Sequence, residues 1–239
     1  NALTENTTSV NNTALGYEAL KVNTGANNTA VGAGVLVANT SGTQNVAMGS
    51  LCLDENTEGR ENVGLGYASL SANTTGDNNV AVGRSALVAN TTADNNVAVG
   101  KSALSANTTG ASNTAVGKDS LLSNTTGGSN TAVGITALDA NTVGNNNTAI
   151  GNNSLSSSTT ASQNTAVGSS SLDSITTGFA NVAVGFVAGG GLTTGNYNIA
   201  IGQESLAATS THSNNTGVGH EALHANTANN NTAIGYQAL

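Results

Sequence analysis

The sequence predicts an all-β fold, a parallel β-solenoid of about 14 coils with a 17-residue repeat. Fourteen segments read Asn, a β-branched residue, a small residue, an aliphatic residue and Gly. The closing glycines run from Gly16 to Gly235; eleven of the thirteen intervals between them are 17 residues, and the first and last are 16. A fixed period of this length is typical of stacked, near-identical coils. Proline, which removes a ladder hydrogen bond, is absent.

Each repeat is numbered from its Asn, so that position 1 is Asn, 3 is Ala, 4 is aliphatic, 5 is Gly, 9 is Leu, 12 is Asn and 13 is Thr. Positions 2 to 4 predict a short strand whose positions 2 and 4 share one face while position 3 points to the other. Gly at position 5 suits a sharp turn with positive φ. Positions 8 to 11 predict a second short strand with its Leu inside. We therefore expect positions 4 and 9 to form the internal core.

The Asn at position 1 is present in every repeat, which predicts a structural ladder. Stacked amides bond to the identical amide above and below when coils lie about 4.8 Å apart. The predicted ladder consists of Asn12, Asn28, Asn45, Asn62, Asn79, Asn96, Asn113, Asn130, Asn147, Asn164, Asn181, Asn198, Asn215 and Asn231.

Position 3 never exceeds a methyl group in size, whereas position 6 varies freely. We expect this small column to be buried against a second chain, which would leave the strand covered on both faces. The alternative is a tight corner within the same coil, where only Ala fits. The predicted inter-chain column is Ala14, Ala30, Ala47, Gly64, Ala81, Ala98, Ala115, Ala132, Ala149, Ala166, Ala183, Ala200, Gly217 and Ala233.

Composition narrows the class of protein. The net charge of −8, with five Lys and Arg in 239 residues, argues against nucleic-acid binding and against a polybasic membrane patch. The sequence contains no run of about 18 apolar residues, so no membrane span is predicted. With one cysteine, Cys52, a disulfide framework is excluded, and this residue is expected to be small and buried. We expect residues 1–239 to form a single repeat domain, a slice of a longer fibrous protein.

No pattern in the sequence predicts catalysis, a cofactor or a bound metal. His220 and His224 have i, i+4 spacing, which would suit a metal on a helix, but they fall in a strand-and-turn segment and are expected to be solvated. The Asp residues occupy no fixed column, which argues against a Ca²⁺-binding roll. Triplets such as Asn73-Thr74-Thr75 are glycosylation sequons in form and are interpreted first as a turn ladder.

The pattern Asn-Thr-Ala-Val-Gly, Ala-Leu, Asn-Thr-Thr-Gly resembles the head repeats of trimeric autotransporter adhesins and similar repeats of phage tail fibres. It is carried by Asn113–Gly117, Asn130–Gly134, Asn147–Gly151 and Asn164–Gly168 and covers essentially the whole chain. The resemblance implies a left-handed β-roll, three chains about a common axis, and attachment to a receptor or matrix from a cell surface or virion. Adhesin heads usually have shorter units with a Ser-Val-Ala-Ile-Gly pattern.

These observations favour a non-enzymatic structural or adhesive rod, either an adhesin head or a tail-fibre shaft. An ice-binding solenoid is the second hypothesis, since Thr at positions 2 and 13 would make a regular array. A carbohydrate-cleaving β-helix is the third, and it is disfavoured because the carboxylates are scattered. Whether an exposed position-6 column of Tyr17, Tyr67, Phe186 and Tyr236 contacts a ligand is left open.

Overall fold

The computed structural model describes residues 2–6, 9–208 and 210–239. They form two compact units that divide between Asp119 and Ser120. Each unit is a parallel β-solenoid in which every repeat contributes one three-residue strand, and the described residues contain no helix. The first unit holds β1 Thr13–Leu15, β2 Thr29–Val31, β3 Val46–Met48, β4 Val63–Leu65, β5 Val80–Val82, β6 Val97–Val99 and β7 Thr114–Val116. The second holds β8 Thr131–Val133, β9 Thr148–Ile150, β10 Thr165–Val167, β11 Val182–Val184, β12 Ile199–Ile201, β13 Thr216–Val218 and β14 Thr232–Ile234.

Within each unit the strands stack in sequence order, and each strand pairs in parallel with the next. The register is the same throughout: Val80 lies opposite Val97, and Ala81 opposite Ala98. Even the 16-residue first repeat keeps it, since Thr13 lies opposite Thr29. The predicted solenoid and its repeat are therefore confirmed.

The second strand predicted at positions 8 to 11 is wrong. This stretch is a turn because positions 7 and 9 adopt left-handed backbone conformations, as at Ser85 (φ 56°) and Leu87 (φ 51°). Hydrogen bonds between coils continue through the turn: the Leu87 amide donates to the Ala103 carbonyl at 3.0 Å. The coils are thus tied together at their turns as well as at their strands.

The glycine at position 5 is fixed by both conformation and space. Gly83 has φ +131°, and a Cβ at this residue would lie 2.6 Å from the carbonyl oxygen of Gly100 in the next coil. An L-residue is disfavoured at this φ. The close stacking of coils therefore requires Gly at this corner.

The core of each coil is built from positions 3, 8 and 9. Leu87, Ala86 and Ala81 are all fully buried. At Gly64, a position-3 glycine, an added Cβ would meet the Sγ of Cys52 and, at 3.4 Å, a methyl of Leu53. Position 3 therefore points inward, at positions 8 and 9.

Two predictions about burial are consequently wrong. The small column from Ala14 to Ala233 does not line a contact with a second chain, because its members from Ala30 onward are buried within their own chain. The tight fit inside the coil explains their size. Position 4, predicted to be core, lies with position 2 on the outer face of the sheet, where Val99 is half-exposed.

The irregular segment at residues 187–192 changes the turn and leaves the strands in register. Gly189 takes the place of the usual Leu at position 9, and an added Cβ there would lie 2.7 Å from Leu172 and 3.3 Å from Leu192. Leu192 is fully buried at position 12, where nine of the thirteen repeats that contain this position have Asn. It fills the space that the missing Leu leaves, and the turn of this coil is altered accordingly.

Candidate interaction surface

The outer face of each sheet carries two columns of side chains, at positions 2 and 4. Because position 3 points into the coil, both of its neighbours in the strand must point out. Position 4 is aliphatic in every repeat, and its members include some of the most exposed apolar side chains: Met48 is 50% exposed and Ile201 is 39% exposed. We call this surface the outer face. In the first unit its aliphatic column is Leu15, Val31, Met48, Leu65, Val82, Val99 and Val116, and in the second it is Val133, Ile150, Val167, Val184, Ile201, Val218 and Ile234.

The outer face carries β-branched and aliphatic side chains in register. Position 2 is Thr in eight repeats and Val or Ile in six, so β-branched side chains stack directly on one another in parallel register. Seven repeats in each unit extend the stripe. Soluble monomers rarely expose long contiguous apolar patches, and such patches mark interaction sites.

The predicted Asn ladder at position 1 is confirmed. The Oδ1 of Asn79 accepts a hydrogen bond from the backbone amide of Asn96 at 3.0 Å. Its Nδ2 donates to the carbonyl oxygen of Ala93 at 2.8 Å, which closes its own coil. Asn79 is fully buried, and so are the other ladder residues except those in the terminal coils. The ladder therefore fixes, from the interior of the coil, the residue that precedes each strand of the outer face.

A second Asn ladder lies at position 12, in the Asn-Thr-Thr triplets interpreted from the sequence as a turn ladder. The Nδ2 of Asn73 donates to the Oδ1 of Asn56 at 2.8 Å and to the carbonyl oxygen of Gly76 at 3.0 Å. In the second unit this ladder ends at Asn141, whose Oδ1 is buried without a partner, because Ser158 occupies the next position 12. Position 12 is Asn in nine of the thirteen repeats that contain it, and this recurrence is the signal that predicts the ladder.

The ladder geometry also answers two sequence hypotheses. Asn73, the acceptor of a predicted sequon, is fully buried with its amide nitrogen bonded on two sides, so a glycan cannot occupy it in the folded chain. The adjoining threonines also bond inward to the next coil: the Oγ1 of Thr74 donates to the carbonyl of Thr91 at 3.0 Å. The position-13 hydroxyls therefore already have a structural partner.

The titratable groups do not converge on a reactive centre in the described parts of the chain. Cys52 is buried with its Sγ 3.0 Å from the Oγ of Ser69, and burial raises the pKa of the thiol to about 11. Its predicted role as a small buried residue is confirmed. His220 stacks on Tyr236 with ring centroids 5.4 Å apart. Within residues 2–6, 9–208 and 210–239, no three of His, Cys, Asp and Glu are placed to hold a metal ion.

Comparison with protein-family models, curated proteins and solved structures gave no significant match. Over the same described ranges, no helix is long and apolar enough to cross a bilayer. The surfaces of the solenoid itself are therefore the features that bear on function.

Position 6 forms the other conspicuous surface column. Its side chains follow the corner glycine and project into solvent, with Tyr17 and Tyr236 each about two-thirds exposed. The exposed aromatic column expected from the sequence is confirmed, although its members are separated by other residue types. In the first unit position 6 holds Tyr17, Ala33, Ser50, Tyr67, Arg84, Lys101 and Lys118, and in the second it holds Ile135, Asn152, Ser169, Phe186, Gln203, His220 and Tyr236.

Proposed function

We propose that this chain is a non-enzymatic, structural and adhesive segment of a fibrous surface protein, an adhesin head or a tail-fibre shaft. In this proposal three copies wind as left-handed β-rolls and pack through their outer faces. The segment lies outside the cell or on a virion and contributes to attachment. The observation that carries the proposal is the aliphatic column at position 4, which recurs in every coil on the outer face and is partly to largely exposed.

A second copy of the chain is the partner that best fits the outer face. The face repeats at the spacing of parallel strands, about 4.8 Å, so a partner must offer flat apolar groups at the same interval. A second copy of the chain has the same repeat, so it offers apolar groups at this interval. Apolar burial contributes about 25 cal/mol per Å² before the entropic cost of association is subtracted, and this contribution recurs in every repeat. The number three comes from the resemblance to adhesin heads.

The equivalence of the coils supports a structural role. Consecutive repeats place the same kinds of side chain at equivalent positions, so each kind forms a column along the unit and does not converge on one site. The buried Asn ladders and corner glycines stiffen each coil against its neighbours. Such a construction suits a spacer or contact surface.

Light scattering after size-exclusion chromatography tests the association. We expect a mass of three times 23.2 kDa for the wild-type chain. Val99→Glu places a carboxylate on the outer face and should give a folded chain of 23.2 kDa, because Val99 is half-exposed in the single chain. Thr109→Glu adds the same charge at an exposed turn and should leave the larger mass unchanged.

A wild-type mass of 23.2 kDa at every concentration would refute the association. Circular dichroism of Val99→Glu separates dissociation from unfolding. In the full-length protein, negative-stain electron microscopy should show this segment as a thin, stiff rod, and a compact globule would contradict the structural role.

Ice binding receives less support than the adhesive role. The hydroxyl of Thr91 donates to the carbonyl of Thr108 at 3.2 Å, so the position-13 threonines already serve the coil-to-coil ladder. On the outer face, runs of Thr at position 2 are interrupted by runs of Val or Ile, as where Val97 is followed by Thr114. Thermal hysteresis of the purified chain would revive this alternative.

A further inference from the structure

Position 6 concentrates the side chains that are rare in this protein. The sequence has six aromatic residues and five Lys and Arg. Four of the aromatic residues and three of the cations occupy position 6, one column of the repeat. The three cations follow one another in consecutive repeats of the first unit, and we call them the cation ladder: Arg84, Lys101 and Lys118.

The cation ladder is a straight, exposed row. It follows β5, β6 and β7, which stack in parallel register, so its members are spaced at about 4.8 Å along the backbone. All three side chains are exposed. Tyr67 occupies position 6 in the repeat before Arg84, and the guanidinium lies 5.8 Å from its ring centroid. The row therefore consists of one aromatic ring followed by three positive charges.

Folding alone gives no reason for this placement. Like charges stacked directly across neighbouring strands raise the free energy of the folded state. Within the described ranges the ladder makes one ion pair, between Lys118 and Asp119 at 3.1 Å. The chain has a net charge of −8, and its carboxylates outnumber its cations. Two of these few cations, Arg84 and Lys101, nevertheless occupy the same position in consecutive repeats.

We propose that the cation ladder and Tyr67 bind a linear acidic polysaccharide, which lies along column 6 of the first unit. Its carboxylate or sulfate groups accept hydrogen bonds from Arg84 and Lys101, and a sugar ring packs on the Tyr67 face. This inference rests on the proposed attachment role and names the class of ligand. A row one side chain wide suits a single extended chain with an anionic group on successive residues.

A nucleic acid fits the same surface less well. Single-stranded nucleic acids are held in positive grooves with aromatic side chains for successive bases. The ladder follows a single column and has one aromatic residue, Tyr67, at its end.

The test uses the 239-residue chain and isothermal titration calorimetry at low ionic strength. The probes are an oligogalacturonate, a heparin octasaccharide, a neutral dextran oligomer and a single-stranded DNA oligonucleotide. Arg84→Gln/Lys101→Gln removes two ladder charges, and Lys21→Gln/Arg60→Gln is the matched control, since it removes one Lys and one Arg outside column 6. Urea denaturation confirms that both variants are folded.

We expect the wild-type chain to bind at least one acidic oligosaccharide and not dextran, with affinity that falls as salt rises. The ladder variant should lose about tenfold or more in affinity, while the control stays within about twofold. Equal losses in both variants, or no binding by a wild-type chain of the expected oligomeric mass, would overturn the ladder and leave the proposed association standing. Equal or tighter binding of DNA would overturn the choice of polysaccharide.

Discussion

Gly64 and Cys52 depart from the consensus in neighbouring repeats, and the structure makes them one packing unit. Position 3 is Ala in twelve of the fourteen repeats, but it is Gly at residue 64. A Cβ on Gly64 would clash with the Sγ of Cys52 and lie 3.3 Å from the Oγ of Ser69. Gly64 is not among the residues with positive φ, so space and not backbone conformation excludes Ala.

The expected size of the effect follows from that contact. Non-bonded heavy atoms rest at about 3.5–4.0 Å, so Gly64→Ala requires a shift of more than about 1 Å around a fully buried sulfur. Overpacking of this kind costs about 1–3 kcal/mol, and the stiffer unfolded chain returns about 0.4–1 kcal/mol. Cys52→Ala alone leaves a small void and should cost about 1 kcal/mol. In the double variant the new methyl occupies the space of the sulfur.

A double-mutant cycle measures this coupling. We expect the double variant to regain the wild-type free energy of unfolding, with a coupling of about 1–3 kcal/mol. Urea denaturation gives the totals, and hydrogen exchange of residues 46–66 reports locally, because repeat arrays can unfold in parts. As a control, the changes in unfolding free energy caused by Cys52→Ala and by Ala98→Gly, three repeats away, should add. If the Gly64→Ala and Cys52→Ala costs simply add, the packing argument is wrong.

Three further outcomes are expected. Asn79→Ala should cost about 2–5 kcal/mol in urea denaturation, since it strips buried partners from the Asn96 amide and one carbonyl, while exposed Thr92→Ala should stay within about 0.5 kcal/mol. Gly83→Ala, at φ +131° and 2.6 Å from a carbonyl oxygen, should cost more than about 3 kcal/mol by the same measurement. Cys52 should resist a thiol reagent at pH 8 until urea unfolds the chain. Burial raises the folded pKa of Cys52 to about 11, above its unfolded value, so the thiol's contribution to stability is complete below pH 9 and declines up to pH 11. The wild-type urea midpoint should therefore fall more than that of Cys52→Ala over this range, and parallel curves would contradict the burial effect.

The period and the position-1 ladder were predictable because both follow from identity between repeats. When every coil has the same length, the residue above Asn79 is Asn96, whatever the detailed path of the chain. Strand position, register and the ladder are therefore consequences of the 17-residue interval. The buried Cys52 followed in the same way from the small residues at its position in other repeats.

The direction of the strand faces was not predictable from residue size. A column of Ala fits a tight interior and a tight contact between chains equally well, and a column of Val fits a core and an outer face. The pair Gly64 and Cys52 held the missing information: a larger residue at position 8 coincides with a smaller one at position 3, as expected for side chains in contact.

The turn at positions 7 to 11 was missed because its backbone runs against the ordinary preference of its residues. Leu87 adopts φ 51°, a left-handed conformation that costs an L-residue about 1–2 kcal/mol. Full burial of a Leu side chain contributes about 1.5–3 kcal/mol and offsets that cost. A rule based on local preference therefore predicts a strand where tertiary packing imposes a turn.

Because the register is uniform, this chain can be lengthened or shortened by whole repeats. Excision of residues 79–95 would join Asn78 to Asn96, and Val97 would then meet Val63 as Val80 does now. Each coil would find the same neighbour, so no interior contact needs redesign. A gene for such a protein can grow or shrink by recombination between its own near-identical segments, and the length of the solenoid becomes a trait that evolution adjusts without altering the fold.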